Sequence, residues 1–320
     1  MSVREKVLYM LSQAQGSLSG ESMAEELGVS RAAVWKAIGC LREEGYVIEA
    51  SANRGYRLRD AENVLTEEGI RRWLVRGDVP VEVHGGIDST NLRAKALAAQ
   101  GAPHGTLVTA DSQTMGRGRF GRKFHSIPGC GLYMSLILRP RMPAEEAVKV
   151  TVLAAVAAAQ ALEQLADMKV QIKWVNDLYA GGRKLAGILT EAGMDFESGY
   201  LDYCVVGIGV NLRRVEYPEE IRQIATSVEE QCGERIPRCR LAAEIVNRLE
   251  KMLEQPDTSP FFMEYRERSN VVGHAVTVLR GDERYDAQAL AIDDDGGLVV
   301  ETEHGAEILR SGEVSLRVKE

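Results

Sequence analysis

Gly116-Arg117-Gly118-Arg119-Phe120-Gly121-Arg122-Lys123 decides how the middle of this 320-residue chain is read. Its glycines fit the G-x-G-x-x-G spacing of a dinucleotide-binding turn, which would imply a doubly wound parallel sheet. That turn must open a helix and be followed about 20 residues later by an acidic side chain. Here Ser126-Ile127-Pro128-Gly129-Cys130-Gly131 breaks any helix, and the acidic position falls near Leu138-Arg139-Pro140. The run is therefore read as an anion-holding loop. Glycine permits close backbone approach, and arginine offers a fork of donors matched to carboxylate or phosphate oxygens.

Working outward, strand-like Gly105 to Ala110 and polar Asp111-Ser112-Gln113 precede the loop, and the apolar run Leu132 to Leu138 follows it. An apolar helix is expected from about Ala144 to Ala166, then a strand Val170 to Trp174 leading into Val175-Asn176-Asp177. Arg183-Lys184-Leu185-Ala186-Gly187-Ile188-Leu189 and Tyr203 to Leu212 read as further strands, the second with glycines where something packs close. On the upstream side, strand Val81 to His84 delivers Asp88-Ser89-Thr90-Asn91 to a helix start, where such side chains cap the helix or bind a ligand. Mostly antiparallel strands with few intervening helices argue for α+β.

Both ends differ from this centre. Val3 to Ser12, Glu21 to Leu27 and Arg31 to about Glu44 read as helices, with Gly28-Val29-Ser30 a tight turn and Ser30 an N-cap. Two short strands, Tyr46 to Glu49 and Gly55 to Leu58, joined by Ala50-Ser51-Ala52-Asn53-Arg54, complete a winged helix-turn-helix. Ser30, Arg31, Trp35, Lys36 and Arg54 are its DNA-facing candidates. After helices expected at Arg240 to Leu253 and Phe261 to Arg268, the last fifty residues show short strands between Gly- and Asp-rich turns, read as a small SH3-like β-barrel. The modules are expected at 1–62, 63–270 and 271–320.

Formal charge is -8, from 39 Lys and Arg against 47 Asp and Glu, so DNA contact has to come from a local patch. The five cysteines are odd in number, without tight pairs or zinc-like spacing, and fit a reducing cytoplasm. No apolar run reads as long enough to cross a bilayer, and residues 1–5 lack a signal-peptide core. Lys184 is the most informative single position, because a lysine beside Leu185 and Ala186 on a strand usually has a negative partner or a task.

In order and spacing, Ser89-Thr90-Asn91, Gln113 with the Gly/Arg loop, Lys173-Trp174-Val175-Asn176-Asp177 and Arg183 to Leu189 resemble the biotin protein ligases. The N-terminal helix-turn-helix resembles that of bifunctional members which also repress the biotin operon. Phe120 stands where many relatives are polar or basic, and Val175 where Pro is common. The resemblance implies ATP-dependent conversion of biotin to biotinyl-5′-AMP with Mg²⁺, then transfer to a lysine of the biotin carboxyl carrier protein of acetyl-CoA carboxylase. It also implies repression by an adenylate-bound homodimer at operator DNA.

By the same resemblance, Lys184, Arg117, Arg119 and Asp177 carry the chemistry. Ser89, Thr90, Asn91, Gln113, Gly118, Arg117, Arg119 and Lys184 hold biotin. Arg117, Arg119, Arg122, Asn176 and Asn211 hold the nucleotide, with the 212–224 loop over adenine. Asp177 serves either as proton acceptor or as Mg²⁺ ligand. A lipoate-type ligase and a regulator that only senses a small molecule are the alternatives.

Overall fold

The structure, a computed structural model, describes residues 2–14, 16–43, 46–51, 54–59, 63–195, 197–280, 283–310 and 312–316. Helices α1 (Val3–Gln13), α2 (Gly20–Leu27) and α3 (Arg31–Glu43) open the chain. Ser2, Ser19 and Ser30 cap them, accepting from the backbone N–H groups of Glu5, Ser22 and Ala33. Gly28 closes α2 at φ 64°, a conformation that a β-carbon opposes. Val7, Leu11, Met23, Val34, Ile38 and Leu41 form a small core, covered by Ile48 and Leu58 of the antiparallel strands β1 (Ile48–Ser51) and β2 (Gly55–Leu58).

This is the expected winged arrangement with one shift. The first wing strand starts at Ile48 rather than Tyr46, because Tyr46 is buried while Arg42 holds the Ile48 carbonyl at 3.0 and 2.6 Å. Glu44, the wing-tip residues Ala52 and Asn53, and the expected boundary at 60–62 lie outside the described residues.

The central unit runs α4 (Glu67–Arg71), β3 (Val81–His84), α5 (Thr90–Ala99), β4 (Leu107–Ala110), β5 (Gly131–Leu138) and α6 (Ala147–Leu165). It continues with β6 (Gln171–Lys173), β7 (Asp177–Ala180), β8 (Arg183–Met194), β9 (Leu201–Asn211), α7 (Glu219–Arg222), α8 (Val228–Cys232), α9 (Arg238–Leu253) and α10 (Ser259–Glu267). The seven strands form one sheet in the order β3-β4-β5-β9-β8-β7-β6. Only the β3–β4 pair is parallel, so the sheet is mixed and the fold α+β.

Alternate residues of the central strands face opposite layers. Val108, Ile137 and Val205 pack on Ala94 and Ala98 of α5. Leu107, Leu136 and Val206 face the layer of α6 and α9. The segment 144–165 is in fact long and apolar enough to span a membrane, contrary to the sequence reading. Its residues are buried against the sheet and α9, which is what an all-round apolar helix does in a core.

The C-terminal strands β10 (Ala275–Arg280), β11 (Glu283–Ile292), β12 (Leu298–Thr302), β13 (Gly305–Leu309) and β14 (Glu313–Leu316) make a five-stranded antiparallel sheet, order β13-β12-β11-β10-β14. Its apolar face (Val276, Ala289, Leu298, Val300) belongs to the same continuous core as the central sheet. The closing module is thus packed onto the central unit rather than hung from it.

Candidate active site

Two segments leaving β3 and β4 run side by side and set the floor of the site. The Ile87 N–H donates to Ser112 O, and those of Thr114 and Met115 donate to Ile87 O and Asp88 O, at 2.8–3.2 Å. This brings the start of α5 against Gln113. Thr90 donates through its backbone N–H (2.8 Å) and hydroxyl (3.1 Å) to Gln113 Oε1, while Gln113 Nε2 donates to Ser126 Oγ at 2.8 Å. Ser135 Oγ on β5 donates to Asn91 Oδ1 at 2.6 Å and lies 2.8 Å from Thr90 Oγ1. Asn91 in turn donates to Leu189 O and Glu191 Oε2. Ser89 caps α5 at Leu92. Burial opposes the charge on Glu191, but hydrogen bonds from Lys95 and Asn91 outweigh it and hold the carboxyl below its ordinary range.

The glycines of β9 accommodate two of these neighbours. A β-carbon on Gly207 would fall 2.0 Å from Asn91 Oδ1, and one on Gly209 would fall 2.6 Å from the Phe124 ring.

The Gly/Arg run folds back on itself. Gly118 N–H donates to Arg122 O (2.7 Å) and Phe124 N–H to Gly116 O (2.9 Å), about a short 3₁₀ turn at Arg119–Gly121. Arg117, Arg122 and Lys123 are exposed. Arg119 is less so, donating to Asn176 Oδ1 at 3.0 Å with its guanidinium 5.0 Å above the Phe120 ring. Phe120, one of the departures from the family pattern, therefore supplies a cation–π platform. It does so from a left-handed backbone, φ 54°.

The β6–β7 turn meets this loop. Asn176 is fixed from behind: its side-chain N–H₂ donates to Ile188 O (2.8 Å), and Ile188 N–H donates to its carbonyl (2.9 Å). Asp177 Oδ1 lies 2.7 Å from Lys184 Nζ on β8. Lys184 thus has the negative partner expected of it. The backbone of Lys184 also pairs with the 224–226 segment, through Lys184 N–H to Ile224 O (2.7 Å) and Thr226 N–H to Lys184 O (2.9 Å). Asn211 anchors the same segment by donating to Thr226 O at 3.0 Å.

These elements enclose a cavity of about 360 Å³, within the range of small-molecule sites. All twelve candidates from the central unit line it: Ser89, Thr90, Asn91, Gln113, Arg117, Gly118, Arg119, Arg122, Asn176, Asp177, Lys184 and Asn211. The wall is apolar at Trp174, Ile188, Leu189 and Ile208, and Tyr217, Ile221 and Ile224 of the 212–224 loop also border it. Lys173, Phe124 and Tyr179 line it as well. Sequence reading placed Lys173 in the constellation but missed the other two, although Phe124 directly follows the loop and Tyr179 lies two residues past Asp177.

Asp177 is the lining carboxylate. Among the described residues no group of three His, Cys, Asp or Glu is placed to hold a metal. The site combines neutral polar groups and apolar wall with a concentration of cations, which suits an acid whose body is largely uncharged and a nucleotide phosphate. Away from the cavity, Ser30, Arg31, Lys36 and Arg54 are exposed, as is Trp35 at 70%. All five lie outward on the winged unit.

Residues 86–211 match the biotin/lipoate A/B protein ligase family, residues 3–57 an HTH domain, and residues 271–317 the biotin protein ligase C-terminal domain. The bifunctional ligase/repressor BirA of Bacillus subtilis is 38% identical over 323 residues, 98% of this chain and 98% of its own length. That of Escherichia coli is 32% identical over 307 residues, 94% of each chain. The biotin protein ligase from Aquifex aeolicus in complex with biotin and ATP is similar in structure, with a TM-score of 0.64 at 29% identity. The match covers 75% of this chain and 99% of that one.

Proposed function

This chain belongs to the biotin/lipoate A/B protein ligase family, and from that premise we propose how its cavity joins biotin to protein and how its winged unit uses the intermediate. The protein is a biotin ligase and a DNA-binding repressor. A biotin carboxylate oxygen attacks the α-phosphorus of ATP. The new O–P bond forms as the α–β bridging bond breaks, releasing pyrophosphate and leaving biotinyl-5′-AMP. An acceptor lysine amine then attacks the acyl carbon, AMP departs, and the amine loses its proton as the amide forms.

The first step presses two anions together. Arg117, Arg119, Arg122 and Lys184 offset that charge, and in a partly dehydrated cavity such groups act more strongly than in water. Asp177 holds Lys184 at a fixed place through their 2.7 Å contact. Magnesium would enter as part of the substrate MgATP, and Asp177, on the cavity wall, would serve either as its ligand or as acceptor of the incoming amine's proton. Thr90 and Gln113, with Ser89, meet the polar ureido edge while Trp174, Ile188 and Leu189 flank the apolar body. Asn176 and Asn211 attend the nucleotide, and Tyr217 and Ile221 border adenine.

The observation that carries this reading is the meeting of Arg119, Asn176, Asp177 and Lys184 beside the neutral Thr90–Gln113 network. Transfer of radiolabelled biotin to a carrier domain with ATP and Mg²⁺ tests it, with lipoate as the competing acid. Label that stays off the carrier, or lipoate preferred over biotin, removes it.

The acceptor is the biotin carboxyl carrier protein, and the work is done in the cytoplasm, where the five free cysteines stay reduced. Biotinyl-adenylate orders the Gly/Arg loop and favours a homodimer whose two winged units meet a palindromic operator. Linkage requires only that the adenylate bind the dimerising state more tightly. Sedimentation with and without adenylate reads this directly.

A further inference from the structure

The catalytic turn Trp174–Asp177 is held from behind, and one of its holders comes from the C-terminal sheet. The Trp174 indole N–H donates to Gly296 O at 2.9 Å in a buried contact, and the Tyr265 hydroxyl of α10 donates to Val175 O at 2.9 Å. The next two residues are Asn176, which accepts from Arg119, and Asp177, which pairs with Lys184.

The turn that presents Gly296 O is itself tied by its own bonds. Asp293 Oδ1 accepts from the N–H groups of Asp295 (3.0 Å) and Gly297 (2.7 Å), and Asp293 pairs with Arg310 at 2.9 Å. It is also fastened to the central unit on two sides. Lys149 of α6 reaches Asp295 at 3.4 Å, while Arg266 of α10 pairs with Asp294 and donates to Ile292 O. Gly296 adopts φ +83°, and a β-carbon there would meet Val152 at 3.0 Å and Val148 at 3.3 Å. A turn fixed this firmly fixes the carbonyl it offers.

We propose that the 293–297 turn of the C-terminal sheet braces the catalytic turn, with Trp174 as a positioning residue that transmits the placement of Gly296 to Asn176 and Asp177. This rests on the ligase reading given above. The C-terminal module then acts on adenylate formation without touching biotin or ATP. Adenylation depends on geometry at the ångström level, whereas binding of biotin alone draws most of its partners from α5, Gln113 and the β8–β9 wall, with Trp174 supplying one apolar side.

The test uses the full chain, starting from the parent protein. If the parent releases no pyrophosphate from ATP with biotin, the ligase reading itself falls, and the brace with it. Given an active parent, Trp174→Phe keeps an aromatic ring but leaves Gly296 O without its donor. Its kcat for pyrophosphate release is expected to fall about tenfold. Gly296→Ala, at a residue that does not line the cavity, should shift kcat the same way with calorimetric affinity for biotin alone within about twofold, and the double variant should be no slower than the slower single one. A folded Trp174→Phe protein with parental kcat, a parallel loss of biotin affinity in Gly296→Ala, or additive losses in the double variant would each overturn the proposal. If Trp174→Phe does not fold, Gly296→Ala is judged by the same kcat-against-affinity split. Failure of both to fold makes the contact one of overall stability and overturns the positioning role.

Discussion

Lys184 Nζ lies 2.7 Å from Asp177 Oδ1 on the neighbouring strand, with side chains 31% and 20% exposed. A pair this open to water adds little to stability, at most about 1 kcal/mol. Its place on the cavity wall suits it to the charge-offsetting role proposed above. Lys184→Ala is expected to leave the urea midpoint nearly unchanged and to lower adenylate formation by about 10²–10³, the usual effect of losing one preorganised donor. Pyrophosphate release with biotin and ATP measures it. A near-parental rate would remove Lys184 from the chemistry.

The Arg238–Asp111 pair behaves in the opposite way. Arg238 is wholly buried and reaches Asp111 Oδ1 and Asn63 O at 2.6 Å and Gly131 O at 3.2 Å. Asp111 Oδ1 also accepts from Gly129 N–H, so one cluster ties both ends of the segment that carries the Gly/Arg loop. Burial, then the Asp111 carboxylate, push the adjacent Tyr46 phenol above its ordinary range. Arg238→Met strands a buried carboxylate and should cost about 3–5 kcal/mol in urea unfolding. A loss below about 1 kcal/mol would mean that water reaches the pair.

These two pairs also show what a sequence can and cannot disclose. Lys184 stood out because a cation among Leu185 and Ala186 is a local anomaly, and the Gly/Arg run because its glycines and arginines are neighbours. Arg238 gave no such sign. Its partners lie 107 to 175 residues away, and an arginine at a helix start is ordinary on a surface. The wing was legible as two strands, yet its first strand begins two residues later because tertiary burial of Tyr46 overrides local strand propensity. The apolar residues of α6 marked it as a core helix, but composition alone did not separate its length from that of a membrane span.

On the winged unit, Arg31 and Arg54 are exposed at the start of α3 and beside the wing strands. Each is expected to neutralise one phosphate. Arg31→Ala and Arg54→Ala should weaken operator binding, each reducing the slope of log affinity against log salt by about 1, with biotin transfer unaffected. Mobility-shift titrations at several salt concentrations read the slope. Equal loss of ligation would instead assign both residues to the fold.

Glu82 on β3 receives Arg93 of α5 through two 2.9 Å contacts and has His84 at 3.2 Å. The hydrogen bonds from Arg93 hold its carboxyl below the ordinary 4.5. A folded-state value below the unfolded one favours the native state above the unfolded pKa, and this contribution is lost as pH falls through the folded value. Glu82→Gln should therefore lower the urea midpoint at neutral pH and narrow its gap to the parent below about pH 4. A gap independent of pH would show that the loss is one of packing.

Gly207 decides whether the floor of the cavity can exist. On β9 it faces Asn91, and an added β-carbon would fall 2.0 Å from Asn91 Oδ1 and 2.7 Å from its Cγ. Asn91 has no room to retreat without releasing Ser135, Leu189 O and Glu191, all of which it bonds. Gly207→Ala should cost about 1–3 kcal/mol of stability, as overpacking usually does. It should also raise the dissociation constant for biotin more than that for ATP, because Thr90 and Gln113 share the displaced network. Calorimetry with each ligand separates the two effects. Equal weakening of both would show that the sheet as a whole had moved, and would take Asn91 out of the biotin site.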